Sequence, residues 1–412
     1  MEGPQEQLAA LRRRIARIDA KYRSGWRRAR TPAAAPGRPE RYFVEEWLSG
    51  EQVETEHGAH FETEKLYDRR RRHGSVGIAD FGDLPSDLLG PVSDGVISNC
   101  PAAKWAFLDT ETAGLAGVPG TYAFLIGVGR IAADGFRIRQ FLMREFAEER
   151  SVLSALAAHL AQFDVLITYN GKTYDEPLLE TRYRTLRLPS PFGRLQHLDL
   201  LVSARRLWKL RLDSCRLMDL EQQILGVERD GDLAGELIPY VYCEYLRTRE
   251  AVRLVPVLHH NAVDILTLAC LTAIMPRAFD SPEEAGFNHG AEMAALGRWF
   301  LKTNQLERAL GLFRKAISAG VGDDILFRSL WDIAATEKRL GHDEAAQRAL
   351  ADLAASPNPF QAAAYEELAK YYEHRGRDRA LALEMTRRAL AITDTKSLRR
   401  RLLRLESRPG RA

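Results

Sequence analysis

The chain has 412 residues, 45% of them apolar, which is enough for two or three domains with their own cores, and its net charge of +3 assigns no partner by itself. No run of eighteen apolar residues suggests a membrane span, and no apolar core near the first residues suggests secretion. Cys100, Cys215, Cys243 and Cys270 lie far apart without a CxxC pair, which argues against zinc and disulfides and for reduced thiols in the cytoplasm. Residues 1–40 carry ten Lys/Arg against four Asp/Glu. They open on a helical stretch, EQLAALRRRIARIDAKY, and close on TPAAAPGRPE, a Pro/Ala/Gly linker. A basic arm of this kind either touches phosphate backbones or is a solvated tail.

Residues 41–100 mix short apolar pieces with Gly, Pro and charge. YFVEEWLSGEQVETEHGAHFETEKLY reads as small strands and turns that extend the next domain or shield its site. Residues 103–275 form one α/β unit. KWAFLDTET, TYAFLIGVGRI and FRIRQFLMREF read as three strands of an antiparallel meander, with ADG as the second turn. EERSVLSALAAHLAQF has helical spacing, DVLITYN is a buried strand, and DEPLLETRYRTLRL is a helix stopped by Pro189. Helical pieces follow, ending in AVRLVPVLHHNAVDILTLACLTAIM. Three antiparallel strands, a helix, a strand and more helices is the element order of an α/β RNase H-like domain.

Residues 288–400 change character. LGRWFLKTNQLERALGLFRKAI, LWDIAATEKRLGHDEAAQRAL and LAKYYEHRGRDRALALEMTRRAL align with one another, with Ala309, Ala345 and Ala380 in register. Gly341, Gly376 and Asn304 fall at the inter-helix turns. A period near 34 residues with small packing positions resembles an all-α tetratricopeptide repeat array. Such an array implies a protein partner or an extended substrate track. The expected organisation is a flexible basic segment at 1–40, an RNase H-like domain at 41–280 with its core at 103–275, repeats at 288–400 and a basic tail at 401–412.

The chemistry lies in the carboxylates. Asp109 and Glu111, at i and i+2 on a strand, point to one face, where two like charges repel unless a cation sits between them. Asp175 follows a buried strand and an Asn-Gly turn, a place where Asp is equally an ordinary helix cap. Asp264 lies on an apolar helix and needs a partner. His260, four residues earlier, shares its face, whereas His259 projects elsewhere. Asp199 reads as a helix cap, Tyr174 as a packing residue, and residues 231–239 as a structural turn.

D-x-E on a first strand, N-x4-D after a later strand and H-x3-D on a final helix resemble the DEDD exonuclease superfamily. YNGKTYDEPLL is similar to the corresponding motif of B-family polymerase proofreading domains. FLDTETAGLAG, TYAFLIGVG, YNGKTYDEPLLETRY, LMDLEQQILGVERDGDLAGELIPYVYCEYLRT and HHNAVDILTLACL together resemble the YprB-type ribonuclease H-like proteins, predicted exonucleases of which some carry tetratricopeptide repeats. The resemblance covers roughly residues 41–275. It implies a phosphodiesterase in which Asp109, Glu111, Asp175 and Asp264 hold two Mg²⁺ or Mn²⁺ ions. The general base of such enzymes is a His five residues, or a Tyr four residues, before the last Asp. His259 and His260 fill those two positions here, with His260 favoured, and Asn261 stands where the His-type pattern has a small residue. Asn170, Lys172 and Thr112 are the candidates for substrate contact. The implied activity is a 3′→5′ exonuclease on single-stranded DNA or RNA ends. The competing readings are a repeat adaptor whose RNase H-like domain only binds nucleic acid, and a structure-specific endonuclease of the same fold.

Overall fold

The computed structural model describes residues 44–114, 121–229, 231–282 and 289–407. The basic segment expected at 1–40 and the end of the basic tail lie outside the described residues. The chain divides into two compact units, Met1–Ala204 with Ser214–Asp280 and Arg205–Asp213 with Ser281–Ala412.

The first unit is built on a seven-stranded sheet of β1 (Glu51–Thr55), β2 (Gly58–Asp68), β3 (Trp105–Thr112), β4 (Ala123–Ala132), β5 (Gly135–Leu142), β6 (Val165–Thr168) and β7 (Gln196–Asp199). Their order across the sheet is β1-β2-β5-β4-β3-β6-β7. The β3–β4–β5 meander is antiparallel as expected, and β6 and β7 add to it in parallel. A parallel neighbour needs a crossover, and α1 (Glu149–Leu160) supplies the one between β5 and β6. Gly135 closes the β4–β5 hairpin at φ +147°, where a side chain would also meet the Tyr67 carbonyl 2.2 Å away. The stretch before the meander does extend the sheet. β2 pairs with β5 from Phe61↔Leu142 to Asp68↔Gly135, and β1 forms the outer edge.

Along β3, Trp105, Ala106, Phe107 and Leu108 are buried on both faces, and the polar residues begin where the strand leaves the core. Four helices complete the unit's site. They are α2 (Asp175–Thr185), α3 (Leu200–Trp208), α4 (Ile238–Thr248) and α5 (Val255–Asp280). α2 stops at Thr185, ahead of Pro189, and Arg187 turns the chain at φ +55°. The segment Ala251–Asp280 is long and apolar enough to cross a membrane by length and composition, yet 78% of its apolar window is buried inside the protein. Leu258, Ile265, Leu268, Cys270 and Met275 are all buried, so this is a core helix.

The second unit is helical, with α6 (Gly290–Lys302), α7 (Leu306–Ser318), α8 (Asp323–Leu340), α9 (Asp343–Ala354), α10 (Gln361–His374), α11 (Arg379–Ile392) and α12 (Lys396–Ser407). A left-handed residue lies in the turn inside each pair, at Asn304 (φ +59°), Gly341 (φ +81°) and Arg377 (φ +52°). In the third pair Gly376 lies in the turn as expected, and the left-handed residue is its neighbour Arg377. The alanines that pack are Ala309, Ala346 and Ala382. Ala345 is half-buried and Ala380 exposed, so the alignment read from sequence is off by one and two positions there. Part of the basic C-terminal run is paired, Arg401 and Arg404 with Glu373 and Arg399 with Asp394.

The mixed sheet with its antiparallel meander and flanking helices, followed by an all-helical region, is the fold class expected from the sequence.

Candidate active site

The end of β3 carries the site. Asp109 pairs with Gly127 and Glu111 with Leu125 across β4, and a register shift follows between Glu111 and Thr112. Asp109 Oδ2 accepts a bond of 2.9 Å from Asn261 Nδ2, and its carbonyl a second of 3.2 Å. Asn261 is fully buried on α5, and its Oδ1 accepts from Gln140 Nε2 at 2.8 Å. Gln140 in turn accepts from Thr63 Oγ1 at 3.1 Å. A buried polar chain thus runs from the added strand β2 to Asp109, and every member has a partner, as burial requires. Asn261, noted from sequence as a departure from the usual small residue, is what ties Asp109 to α5.

That tie needs space on β4. A Cβ at Gly127 would lie 2.2 Å from Asn261 Oδ1 and 2.3 Å from Ile265 Cδ1. Asn261 is bonded at both ends and has no slack. Gly127→Ala is therefore expected to destabilise the protein by about 1–3 kcal/mol through overpacking. Urea denaturation checks this, and an unchanged midpoint would contradict it.

Asp175 begins α2. Its Oδ1 accepts 2.5 Å from Thr110 Oγ1, the residue between the two β3 acids, so it does not act as the helix cap. The preceding loop is shaped by Asn170 at φ +67°, whose carbonyl accepts from Thr173 and Tyr174. Asp199, at the end of β7, holds that loop from below. Its carboxylate accepts from Asn170 N at 2.7 Å and Lys172 N at 3.2 Å, and from Leu201 N at 3.1 Å at the start of α3. Asp199 is thus the expected cap and also the loop's anchor. Lys172 is exposed, and Thr112 Oγ1 donates to the Gly114 carbonyl at 2.9 Å. Tyr174 is 50% exposed and does not pack as expected.

Asp264 Oδ1, on α5, accepts from Arg229 Nη2 at 2.5 Å. His260 is buried one turn earlier, with Nδ1 2.8 Å from Asp232 Oδ2 and Nε2 3.5 Å from Asp264 Oδ2. His259 is exposed. The histidine on the Asp264 face is therefore His260, held between two carboxylates. Asp232 and Arg229 were missed in the sequence, where Asp232 was read as part of a turn. They lie 28 residues before His260 and 35 before Asp264, and no periodicity links them.

The electrostatics follow from this crowding. Burial raises Asp109 well above the usual carboxylate range, and the charges of Asp264 and Asp175 add to it against the opposing Asn261 bond. Burial likewise raises Glu111 well above its ordinary value, reinforced by Asp109, Asp264, Asp175 and Asp232. Burial lifts Asp175 to about 6 despite the Thr110 bond. Burial also pushes Asp232 upward, but bonds from His260 and Arg229 outweigh it and hold Asp232 at about 2. His260 is raised, because Asp232 and Asp264 outweigh its burial, whereas burial lowers His259.

Three buried carboxylates, each raised by burial and by the charge of a neighbouring carboxylate, are a set of hard oxygen donors that suits a divalent cation. Among the described residues, no three His, Cys, Asp or Glu side chains already stand arranged to hold a metal ion. Three of the four acids already accept hydrogen bonds, Asp264 from Arg229, Asp109 from Asn261 and Asp175 from Thr110.

Comparison with known proteins points the same way. A model of the RNase_H superfamily matches residues 106–275. The chain is 32% identical over 313 residues to the uncharacterized protein YprB of Bacillus subtilis (strain 168), across 73% of this chain and 74% of YprB.

Proposed function

Because this chain belongs to the family of YprB and carries an RNase_H superfamily domain, we propose that it is a divalent-metal-dependent 3′→5′ exonuclease acting on single-stranded DNA or RNA ends. The observation that carries the reading is the cluster of Asp109, Glu111 and Asp175 around the end of the first meander strand, each raised by burial and by the charge of a neighbouring carboxylate. In its two-ion form, Asp109, Glu111, Asp175 and Asp264 are the holding residues, and Mg²⁺ or Mn²⁺ supplies charge to activate water and to stabilise the leaving 3′ oxygen.

His260 is the general base in this reading. Its Nδ1 faces Asp232, and Nε2, 3.5 Å from Asp264 Oδ2, is the nitrogen that would accept the proton of the attacking water. Asp232 positions the ring in the proper tautomer. Asn170, Lys172 and Thr112 are the residues that contact the substrate strand in this reading. The helix pairs of residues 290–407 serve as a tetratricopeptide-like platform for a protein partner, and the protein acts in the cytoplasm without a membrane.

His260→Ala is expected to lower kcat by about two to four orders of magnitude, with His259→Ala nearly unchanged. Steady-state rates of the two variants decide this, and equal losses would remove the assignment. Linear and circular single strands separate the exonuclease from the other readings. Degradation of the linear strand alone supports it. Cleavage of the circle favours an endonuclease, and binding without cleavage of either favours the adaptor.

A further inference from the structure

The second half of the acid cluster already contains a cation. Arg229 is buried, with 7% of its side chain exposed, and it reaches three carboxylates. Its Nε donates to Glu221, Nη1 donates to Asp232 at 3.0 Å, and Nη2 donates to Asp264 at 2.5 Å. The guanidinium is planar and permanently charged, and its fork of donors matches carboxylates arranged around it. Two of the three contacts do not involve Asp264. Glu221 is almost fully buried, and Asp232 is itself bound by His260 Nδ1 at 2.8 Å. The guanidinium therefore keeps its place whether or not Asp264 holds it. A divalent ion approaching Asp264 meets this fixed positive charge at contact distance, which repels it. Among the described residues, Asp109, Glu111 and Asp175 form no ion pair; the side chains that bond them are the amide of Asn261 on Asp109 and the hydroxyl of Thr110 on Asp175, and the Arg229 charge reaches Asp109 without bonding it.

We propose that Arg229 takes the place of the second metal ion. This centre holds one divalent ion, on the side of Asp109, Glu111 and Asp175, and Arg229 neutralises Asp264 where the two-ion reading has another. The inference rests on reading these acids as a metal centre and revises the number of ions and the role of Asp264. Asp264 then orients His260 and Arg229 and does not ligate metal. Arg229 is a positioning residue that also carries the charge of the missing ion.

Calorimetric titration of the metal-free full chain with Mn²⁺ at neutral pH, without substrate, reads this directly. The expected result is one ion per chain for the wild type and two for Arg229→Gln, which leaves Glu221, Asp232 and Asp264 with only histidine partners. Asp264→Asn keeps one ion with its affinity within about threefold of the wild type, whereas Asp109→Asn weakens binding by about tenfold or more. The Asp264→Asn arm decides the matter if Arg229→Gln does not fold. Two ions in the wild type overturn the proposal and leave the metal centre standing, as does a loss of about tenfold or more in Asp264→Asn. A folded wild type that binds no Mn²⁺ overturns the metal centre itself, and this proposal with it.

Discussion

Asp109→Asn is expected to abolish phosphodiester hydrolysis while making the metal-free protein more stable. The two effects have one cause. Asp109 sits where burial and the charges of Asp264 and Asp175 all disfavour its ionised form, so the carboxylate is present at a cost to the fold. Asparagine keeps the shape and can still accept from Asn261 Nδ2, but it removes the repulsion. At neutral pH the variant is expected to melt at a higher temperature than the wild type. The same change removes a charged oxygen donor from the proposed metal centre. A loss of about 4 kcal/mol of transition-state stabilisation corresponds to about a thousandfold in rate. Thermal melts in EDTA and initial rates in Mn²⁺, on the same two proteins, check both halves. A variant that is both slower and less stable in EDTA would mean that Asp109 is a structural residue. Stability and activity opposing each other is the behaviour expected of an active site.

The second large effect is on pH dependence. Asp175 titrates at about 6 in the folded chain against an ordinary value of 3.8. Below about pH 4 both folded and unfolded chains carry its proton. Between these values the folded chain holds the proton that the unfolded chain has released, so stability falls as pH rises. Above about pH 6 the full penalty is present, on the order of 3 kcal/mol for a rise of this size. Asp109 and Glu111 shift in the same direction and add to the decline. Asp232 works oppositely, because its lowered pKa stabilises the fold above the ordinary carboxylate range. Comparing the wild type with Asp175→Asn isolates the acid cluster. In EDTA, unfolding free energy measured in urea from about pH 4 to pH 7 should decline more steeply for the wild type than for the variant. Parallel curves would show that Asp175 titrates normally. Mn²⁺ should stabilise the wild type more at pH 7 than at pH 5, since protonated carboxylates bind metal poorly.

The meander was legible because its strands are long and bounded by turn residues. FLIGVGRI and FRIRQFL flank ADG, and each buries a face. The fifth strand of the core, Gln196–Asp199, was not read from the sequence. It has only four residues and ends in Asp199, which signals a helix cap more strongly than a strand. β1 and β2 were visible as strands, but nothing in their sequence says that β2 adds to β5 or that Thr63 begins the polar chain to Asp109. The acids were found through their spacing and the motif resemblance. Arg229 and Asp232 were not, because they come from an irregular loop where no period connects a side chain to its partner. The choice between His259 and His260 follows from helix geometry, since only an i, i+4 partner shares the face of Asp264. The repeat turns were legible in kind and less so in position. Arg377 takes the left-handed conformation next to a glycine that does not use it.

The most direct test is the hydrolysis of 5′-labelled single-stranded DNA and RNA by the full chain, with Mn²⁺, Mg²⁺ or EDTA, beside Asp109→Asn. The expected result is a ladder that shortens one nucleotide at a time from the 3′ end, with either divalent metal present, and that vanishes in EDTA and in the variant. Intact strands under every metal, or shortening that survives Asp109→Asn, would contradict it.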